Sequence, residues 1–228
     1  MVLLESTQRY QPDPRSGEKN AAMELMQRSA EAIKKEKQRL GIPIDRRLDP
    51  NETGLIGDEY TDITTTLGSL AAKRTSTNPA FAAVIVDMLD RAGVRPGDQV
   101  AINFSGSFPA LNIAVLSAVR VLNLHPAIIS SEGASMYGAN HPDLTWLDME
   151  RVLAEIGLLP YRSIAASLGG IAGAQGGLDG TGIEVGRRAI LRNGILLLKE
   201  EGSSTLTADV RKRLALLVSA KRVVRTDY

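Results

Sequence analysis

The stretch that decides the fold is QVAINFSGSFPALNIAVLSAVRVLNLHPAIIS, residues 99–130. It begins with a short apolar run at 99–104, passes through a loop of small residues and enters an apolar segment of helical length at 109–122. A second short apolar run follows at 126–130. Two such runs on either side of a helical segment predict a strand–helix–strand unit with parallel strands.

The same alternation continues toward the C-terminus. Further strands are predicted at 161–168 and 195–199, and further helices at 147–156, 183–192 and 206–220. Strands that are apolar on both faces and are joined by helices are typical of a parallel sheet in three layers. We therefore predict an α/β fold, a three-layer Rossmann-like parallel sheet with an N-terminal helical extension.

The N-terminal third carries the extension. A helical pattern at 20–40 ends before Gly41, a residue type that often follows a helix C-terminus. A short helix is predicted at 67–73. Asn78-Pro79 favours the start of another helix, because Asn is a good N-cap and Pro fits the first helical position.

The length of 228 residues suits one domain with an appendage. We place the lead-in and helix at 1–57 and the Rossmann-like domain at 58–228. An incomplete C-terminal part of this domain is kept as an alternative. Hydrophobic residues make up 43% of the chain and aromatic residues 4%, which predicts a core of Ala, Leu, Ile and Val.

The composition also excludes several classes of protein. The 27 Lys and Arg residues balance 26 Asp and Glu, so no overall field attracts nucleic acid and no nucleic-acid partner is expected. The absence of cysteine excludes disulfides and thiol catalysis. The sequence contains no run of 18 apolar residues, the length that a transmembrane helix needs. We therefore expect the chain as given to be soluble.

Ligand sites are expected where the parallel strands end. Right-handed connections place the strand-to-helix loops at one edge of the sheet, and ligands bind at that edge. The loops concerned lie at 105–109, 131–142, 169–182 and 200–205. The glycine-rich loop at 169–182 is typical of a mobile surface loop, with a lid or a phosphate loop as the alternative.

The loop Ser105-Gly106-Ser107 lies between a predicted strand and a predicted helix start. Free N–H groups at a helix N-terminus attract anions, and Gly106 lets a ligand approach closely. The alternative is a tight turn in which Ser107 caps the helix. The string matches neither G-x-G-x-x-G nor the P-loop, so no nucleotide cofactor is indicated and the cofactor stays unknown.

A serine hydrolase triad is a further alternative, with Ser105 or Ser107 as nucleophile. The nucleophile elbow G-x-S-x-G is absent, and His125 lies at the start of a strand, at the opposite edge of the sheet. The remaining candidates for base and orienting residue are His141, Asp143 and Asp148. For an enzyme without a triad, the candidate general bases are Glu59, Asp62, Glu132 and His141. The sequence identifies no catalytic residue.

The segment at 59–79 is rich in threonine and serine and contains Lys73 and Arg74. We expect both cations just before a helix N-terminus, where they and the hydroxyl groups form a pocket for a carboxylate or phosphate. The alternative is a loop whose hydroxyl groups satisfy its own backbone. The two histidines lie far apart in the sequence and the acidic residues of this segment are typical of solvated side chains, so no metal site is predicted.

Four strings resemble the poly-gamma-glutamate system protein family. They are GLIGDEYTDITTTLGSLAAKRTSTNPAFAA at 54–83, GDQVAINFSGSFPALNIAVLSA at 97–118, IISSEGASMYGAN at 128–140 and LPYRSIAASLGG at 159–170. The resemblance implies a role beside the machinery that makes or exports gamma-linked polyglutamate in bacterial capsules and envelopes. It implies a pathway more than a mechanism.

Members of that family usually begin with a membrane-spanning segment and continue past the position of Tyr228. The start Met1-Val2-Leu3-Leu4 looks like the remnant of such a segment. The resemblance therefore implies that full-length relatives are anchored in the membrane at the cell envelope, through a segment that is missing or reduced here.

We expect an accessory protein of poly-gamma-glutamate biosynthesis or export that binds a carboxylate-bearing ligand or partner at the strand C-terminal edge. The alternative is a hydrolase or transferase acting on a glutamyl or phosphorylated substrate. The expected partners are polyglutamate or the components of its synthesis and export, and a homo-oligomer stays open. The predicted ligand-binding residues are Glu59, Thr65, Lys73, Arg74, Thr75, Ser76, Asn78, Ser105, Gly106, Ser107, Ser135 and Asn140.

Overall fold

The structure is a computed structural model and describes residues 13–169, 177–198 and 206–223. Helices and strands alternate along most of the described chain. The helices are α1 (Ser16–Arg39), α2 (Leu70–Ser76), α3 (Ala80–Arg91), α4 (Pro109–Val121), α5 (Trp146–Glu155), α6 (Gly180–Arg192) and α7 (Leu206–Val223). The strands are β1 (Thr64–Thr66), β2 (Gln99–Ser105), β3 (His125–Ser131), β4 (Ala134–Ser135), β5 (Asn140–His141), β6 (Leu144–Thr145), β7 (Ala165–Ser167) and β8 (Leu196–Leu197).

The central sheet has four parallel strands in the order β2-β3-β7-β8. Helices α4, α5 and α6 connect successive strands, and their apolar residues form one core with Phe104, Ile128 and Ala166. Side chains of a strand alternate between its two faces, so Ile129 points the other way. It packs with Leu217 of α7 in a second, smaller core. The sheet is therefore covered on both faces, and the predicted three-layer α/β fold is confirmed.

Helix α1 belongs to the main core. Its buried residues include Ala22, Met26 and Ile33, which recur at the spacing of one helical face. That face packs against α3, α4 and α5. The buried hydrophobic residues are aliphatic apart from Phe104 and Trp146, whose rings meet edge to face with centroids 5.5 Å apart.

The short helix of the Thr-rich segment differs from the prediction in its bounds. The short helix expected at 67–73 is α2, which begins three residues later because Ser69 accepts a hydrogen bond from the Ala72 backbone N–H and caps it. Lys73 and Arg74 therefore both lie in α2, shortly before α3 begins. Asn78, two residues after the end of α2, accepts a hydrogen bond from the Ala80 N–H at the start of α3.

The loop predicted at 131–142 contains short strands. Strand β4 pairs in parallel with β1, and β5 forms an antiparallel hairpin with β6. Strand β1 ties the Thr-rich segment to the carboxyl end of β3. The glycine-rich residues 170–176 and the predicted loop at 200–205 lie outside the described residues.

Across these three described ranges, none of the helices has the length and apolar character needed to cross a membrane.

Candidate functional site

Lys73 lies at the centre of a group of side chains from three separate segments. The Lys73 Nζ atom donates to the backbone carbonyl oxygen of Ser107 and to Ser135 Oγ, which is 2.8 Å away. It also lies 3.6 Å from the centroid of the Phe108 ring. We call Lys73, Ser105, Ser107, Phe108 and Ser135 the Lys73 cluster. It lies at the carboxyl ends of β2 and β3, where the fold class places ligand sites.

The Lys73 side chain is almost completely buried, with 2% of its surface exposed. No salt bridge involves Lys73 within the described part of the chain. Burial without a carboxylate partner disfavours the charged form and lowers the pKa of Lys73 to about 8. At pH 7, roughly one amine in ten is therefore neutral.

The three serines of the cluster are joined by hydrogen bonds. Ser105 Oγ donates to Ser107 Oγ at 3.0 Å, and the Ser107 backbone N–H donates back to Ser105 Oγ at 3.1 Å. The Ser135 backbone N–H donates to Ser107 Oγ at 3.1 Å. The Ser107 hydroxyl thus accepts two hydrogen bonds, and its own proton finds no acceptor among the described residues. That proton is available to a ligand.

The N-terminus of α4 adds positive potential to the same place. Its N-cap residue is Phe108, and no side chain caps the helix, so the alternative in which Ser107 serves as the cap is wrong. Pro109 has no N–H and the Asn112 N–H donates to the Phe108 carbonyl, so the N–H groups of Ala110 and Leu111 keep the capacity to donate to a bound group. Asn112 Nδ2 donates to the Ser105 backbone carbonyl at 2.9 Å and fixes the loop in front of the helix.

Gly138 brings the loop that follows β4 against the loop that precedes α4. A Cβ atom at position 138 would lie 2.8 Å from the Gly106 carbonyl oxygen and 2.9 Å from those of Ser107 and Ser135. The Ala139 N–H donates to the Gly106 oxygen at 2.7 Å. Only glycine permits this approach, which keeps Ser107 and Ser135 within one site.

Replacing Gly138 with alanine is expected to force these loops apart and to lower the free energy of unfolding by about 1–3 kcal/mol, as overpacking usually does. Urea unfolding followed by circular dichroism measures the change. Gly17→Ala is the matched control, because no atom lies within 4 Å of the added Cβ and alanine favours a helix. Equal stability of the Gly138→Ala variant and the wild type would show that the loops can separate freely.

Two further predicted residues lie next to the cluster, but their side chains bond to neighbouring segments and not to the cluster. Asn140 is buried, accepts from the Asp58 N–H at 3.0 Å and donates to the Asp58 carbonyl at 2.9 Å and to Thr64 Oγ1 at 3.0 Å. Thr65 Oγ1 donates to the Ala134 carbonyl at 3.2 Å. Both side chains hold the Thr-rich segment against β4, which positions Ser135.

The structure does not bring the other predicted residues to the cluster. Arg74 donates to the carbonyl oxygens of Leu48 and Arg47, away from Lys73, because adjacent residues of a helix point in different directions. The remaining members either bond within or beside their own helix or are exposed. They are Thr75 (to Ala71), Ser76 (to Lys73), Asn78 (to Ala80) and the exposed Glu59.

Two cavities border α2 and the β1–β4 pair. One of about 250 Å³ is lined by residues of β1 and by Tyr60, Leu67 and Met136, so it adjoins Ser135 along the chain. Another of about 1070 Å³ lies between α1 and the start of α3, and Arg74, Thr75 and Asn78 line it. Of the predicted residues, Thr65 thus lines the smaller cavity, whereas Arg74, Thr75 and Asn78 line the larger one.

The candidate triad residues do not meet. His125 is the first residue of β3, at the opposite end of that strand from the Lys73 cluster. His141 Nδ1 accepts from the Asp143 N–H at 3.2 Å, and Asp148 is bonded to Arg192 and Asn193. The serines therefore have no histidine partner among the described residues.

Glu132 follows β3 directly and is completely buried. Both carboxyl oxygens are without a hydrogen-bond partner among the described residues. Thr145 lies close, but its hydroxyl donates to Asp148 at 2.8 Å. Burial is the main reason that the pKa of Glu132 rises to about 8, so this carboxyl group is mostly protonated at neutral pH.

Comparison of the chain with protein-family models, with curated proteins and with solved structures gives no significant match. The membership expected from the four strings therefore stays a prediction. The fold and the site define an α/β protein with a buried lysine among serines at the carboxyl edge of its sheet, and this lysine has no carboxylate partner in the described part of the chain.

Proposed function

We propose that this chain is an accessory protein of bacterial poly-gamma-glutamate biosynthesis or export, and that it binds a carboxylate-bearing ligand at the Lys73 cluster. The observation that carries the binding site is Lys73 itself, a buried amine with no carboxylate partner among the described residues. The pathway rests on the resemblance of the four strings. The proposed ligand is the end of a glutamyl chain, or a component of the machinery that makes or exports it.

The chemistry of the cluster suits a carboxylate. The proton of the Ser107 hydroxyl and the uncapped N–H groups of α4 are donors for its oxygens. Lys73 supports the same loop through the Ser107 carbonyl and adds positive charge behind it. A bound anion would favour the charged form of Lys73, so binding should take up protons near pH 8.

Titration calorimetry with gamma-linked glutamate oligomers tests this function. We expect the wild type to bind and Ser107→Ala to weaken the affinity about ten- to a hundredfold, because a hydrogen bond to a charged group contributes about 1.5–3 kcal/mol. Ser219→Ala is the matched control, since the Ser219 hydroxyl is exposed and donates to the Leu216 carbonyl within α7. An absence of heat at millimolar ligand with folded protein, or equal affinity of the Ser107→Ala variant, would overturn the proposal.

The second candidate is a hydrolase or transferase acting on a glutamyl or phosphorylated substrate. The contact between Lys73 Nζ and Ser135 Oγ favours it, because a lysine with a lowered pKa can activate a serine hydroxyl.

A further inference from the structure

We propose that Lys73 and Ser135 form a catalytic dyad, in which Ser135 Oγ attacks the carbonyl carbon of an amide or ester and Lys73 Nζ acts as the general base. The inference rests on the proposed function in one respect, since the substrate must reach the same edge of the sheet. It adds a chemical step to the proposed ligand binding, because binding alone needs no nucleophile.

The geometry of the pair meets the first requirement of a base and a nucleophile. The Nζ–Oγ distance of 2.8 Å lies within the range over which a base removes a proton directly. Backbone hydrogen bonds hold Ser135 on both sides, from its own N–H to Ser107 Oγ and from the Met136 N–H to the Thr66 carbonyl. The nucleophile is therefore fixed relative to the amine.

The surroundings of Lys73 favour a neutral amine. The segments that contact its Nζ atom, 105–109 and 133–139, contain one titratable side chain, Tyr137, and no carboxylate. Arg74, its neighbour in α2, is directed toward Leu48. A neutral amine keeps one N–H for the Ser107 carbonyl and turns its lone pair to the Ser135 hydroxyl proton.

The final acceptor of the acyl group is water or an amine. Lys73 takes the proton of Ser135 while Oγ bonds to the carbonyl carbon, and the C–N or C–O bond of the substrate breaks. The departing nitrogen or oxygen keeps the electron pair and receives the proton from the Lys73 ammonium. Water or an amine then attacks the acyl ester on Ser135 and Lys73 accepts its proton. The C–Oγ bond breaks, and that proton returns to Ser135.

The groups around the dyad suit an acyl substrate. The uncapped N–H groups at the start of α4 can stabilise the negative charge that develops on the carbonyl oxygen. The cavity of about 250 Å³ is lined by Met136, the residue after Ser135, while Ser135 itself is 6% exposed, so an acyl substrate would have to approach from the side of this cavity.

Reaction with an alkyl fluorophosphonate tests the dyad, because this probe phosphonylates an activated serine and releases fluoride. Intact mass spectrometry of the full chain, with peptide mapping, should find one adduct, on Ser135. The rate should rise about tenfold per pH unit up to pH 8 and then level off, following the neutral fraction of Lys73. Ser135→Ala should abolish the adduct, and Lys73→Met, which replaces the unbranched side chain without its amine, should slow labelling by about a hundredfold or more.

Ser219→Ala serves as the control and should label at the wild-type rate. Lack of an adduct on folded wild type at pH 9, an adduct on Ser105 or Ser107 instead, or a rate independent of pH would each overturn the dyad, even if the Lys73→Met variant failed to fold. Calorimetry with gamma-linked glutamate oligomers on the same samples separates the two proposals. Binding without labelling removes the dyad alone, whereas labelling without binding removes the glutamyl ligand alone.

Discussion

Replacing Glu132 with glutamine is expected to raise the free energy of unfolding by about 4 kcal/mol at pH 8 and to change it little below pH 5. The physical reason is the proton that the folded protein holds on this carboxyl group. The pKa of Glu132 is about 8 in the folded state and about 4.5 when exposed, and each pKa unit corresponds to about 1.4 kcal/mol. Glutamine fills the same space and cannot ionise.

The sign follows from the direction of the shift. Because the folded-state pKa is raised, the wild type has its full stability below pH 4.5 and loses it progressively as the pH rises through about 8. Urea unfolding of both proteins between pH 5 and 8.5 measures the difference. The exposed Glu184→Gln is the control and should show no such divergence. If the free energies of unfolding of Glu132→Gln and the wild type differed by the same amount at every pH in this range, the buried, protonated state of Glu132 would be contradicted.

Replacing Asp148 with alanine is expected to lower the free energy of unfolding by about 2–3 kcal/mol, because alanine cannot replace the hydrogen bonds that this buried carboxylate accepts. The Asp148 carboxylate accepts from Arg192 Nε at 2.9 Å, from Asn193 Nδ2 at 2.8 Å and from the Thr145 backbone N–H at 2.9 Å. Burial opposes its ionisation, but the hydrogen bond and charge of Arg192 keep the pKa of Asp148 below its ordinary value.

The alanine variant would leave Arg192 without its carboxylate and remove the Asp148 half of the capping box at the N-terminus of α5. Thermal and urea unfolding at pH 7 measure the loss, and the nearby exposed Asp143→Ala is the control. If Asp148→Ala unfolded like the wild type, this network would have no part in joining α5 to α6.

The alternation of strands and helices could be predicted because apolar runs of two distinct lengths follow each other from position 99 onward. Helix α4 begins at Pro109 as expected, and β3 differs from its prediction by one residue at each end. Strands β1 and β4 could not be predicted, because two or three residues carry no period. Their pairing depends on tertiary contacts, which also bring Ser135 to Lys73.

The candidate site was predictable in part. Lys73 and Ser107 were expected in one pocket from their residue types, and they do meet. Arg74 was expected with them but points elsewhere, because α2 continues past Lys73 and neighbouring residues of a helix point in different directions. Phe108 was not anticipated. An aromatic residue before Pro109 is unremarkable in sequence, and its contact with an amine arises only when α2 docks.

The Lys73 cluster also has a consequence for how the chain acquires its native state. Its members come from positions 73, 107 and 135, so 34 residues separate the first contact pair and 62 the pair of Lys73 and Ser135. Closing such long loops costs entropy before the contacts stabilise the chain, so we expect these pairs to form late. During refolding, the Lys73 amine should therefore stay open to reductive methylation until late, and its protection would mark the moment at which the site exists.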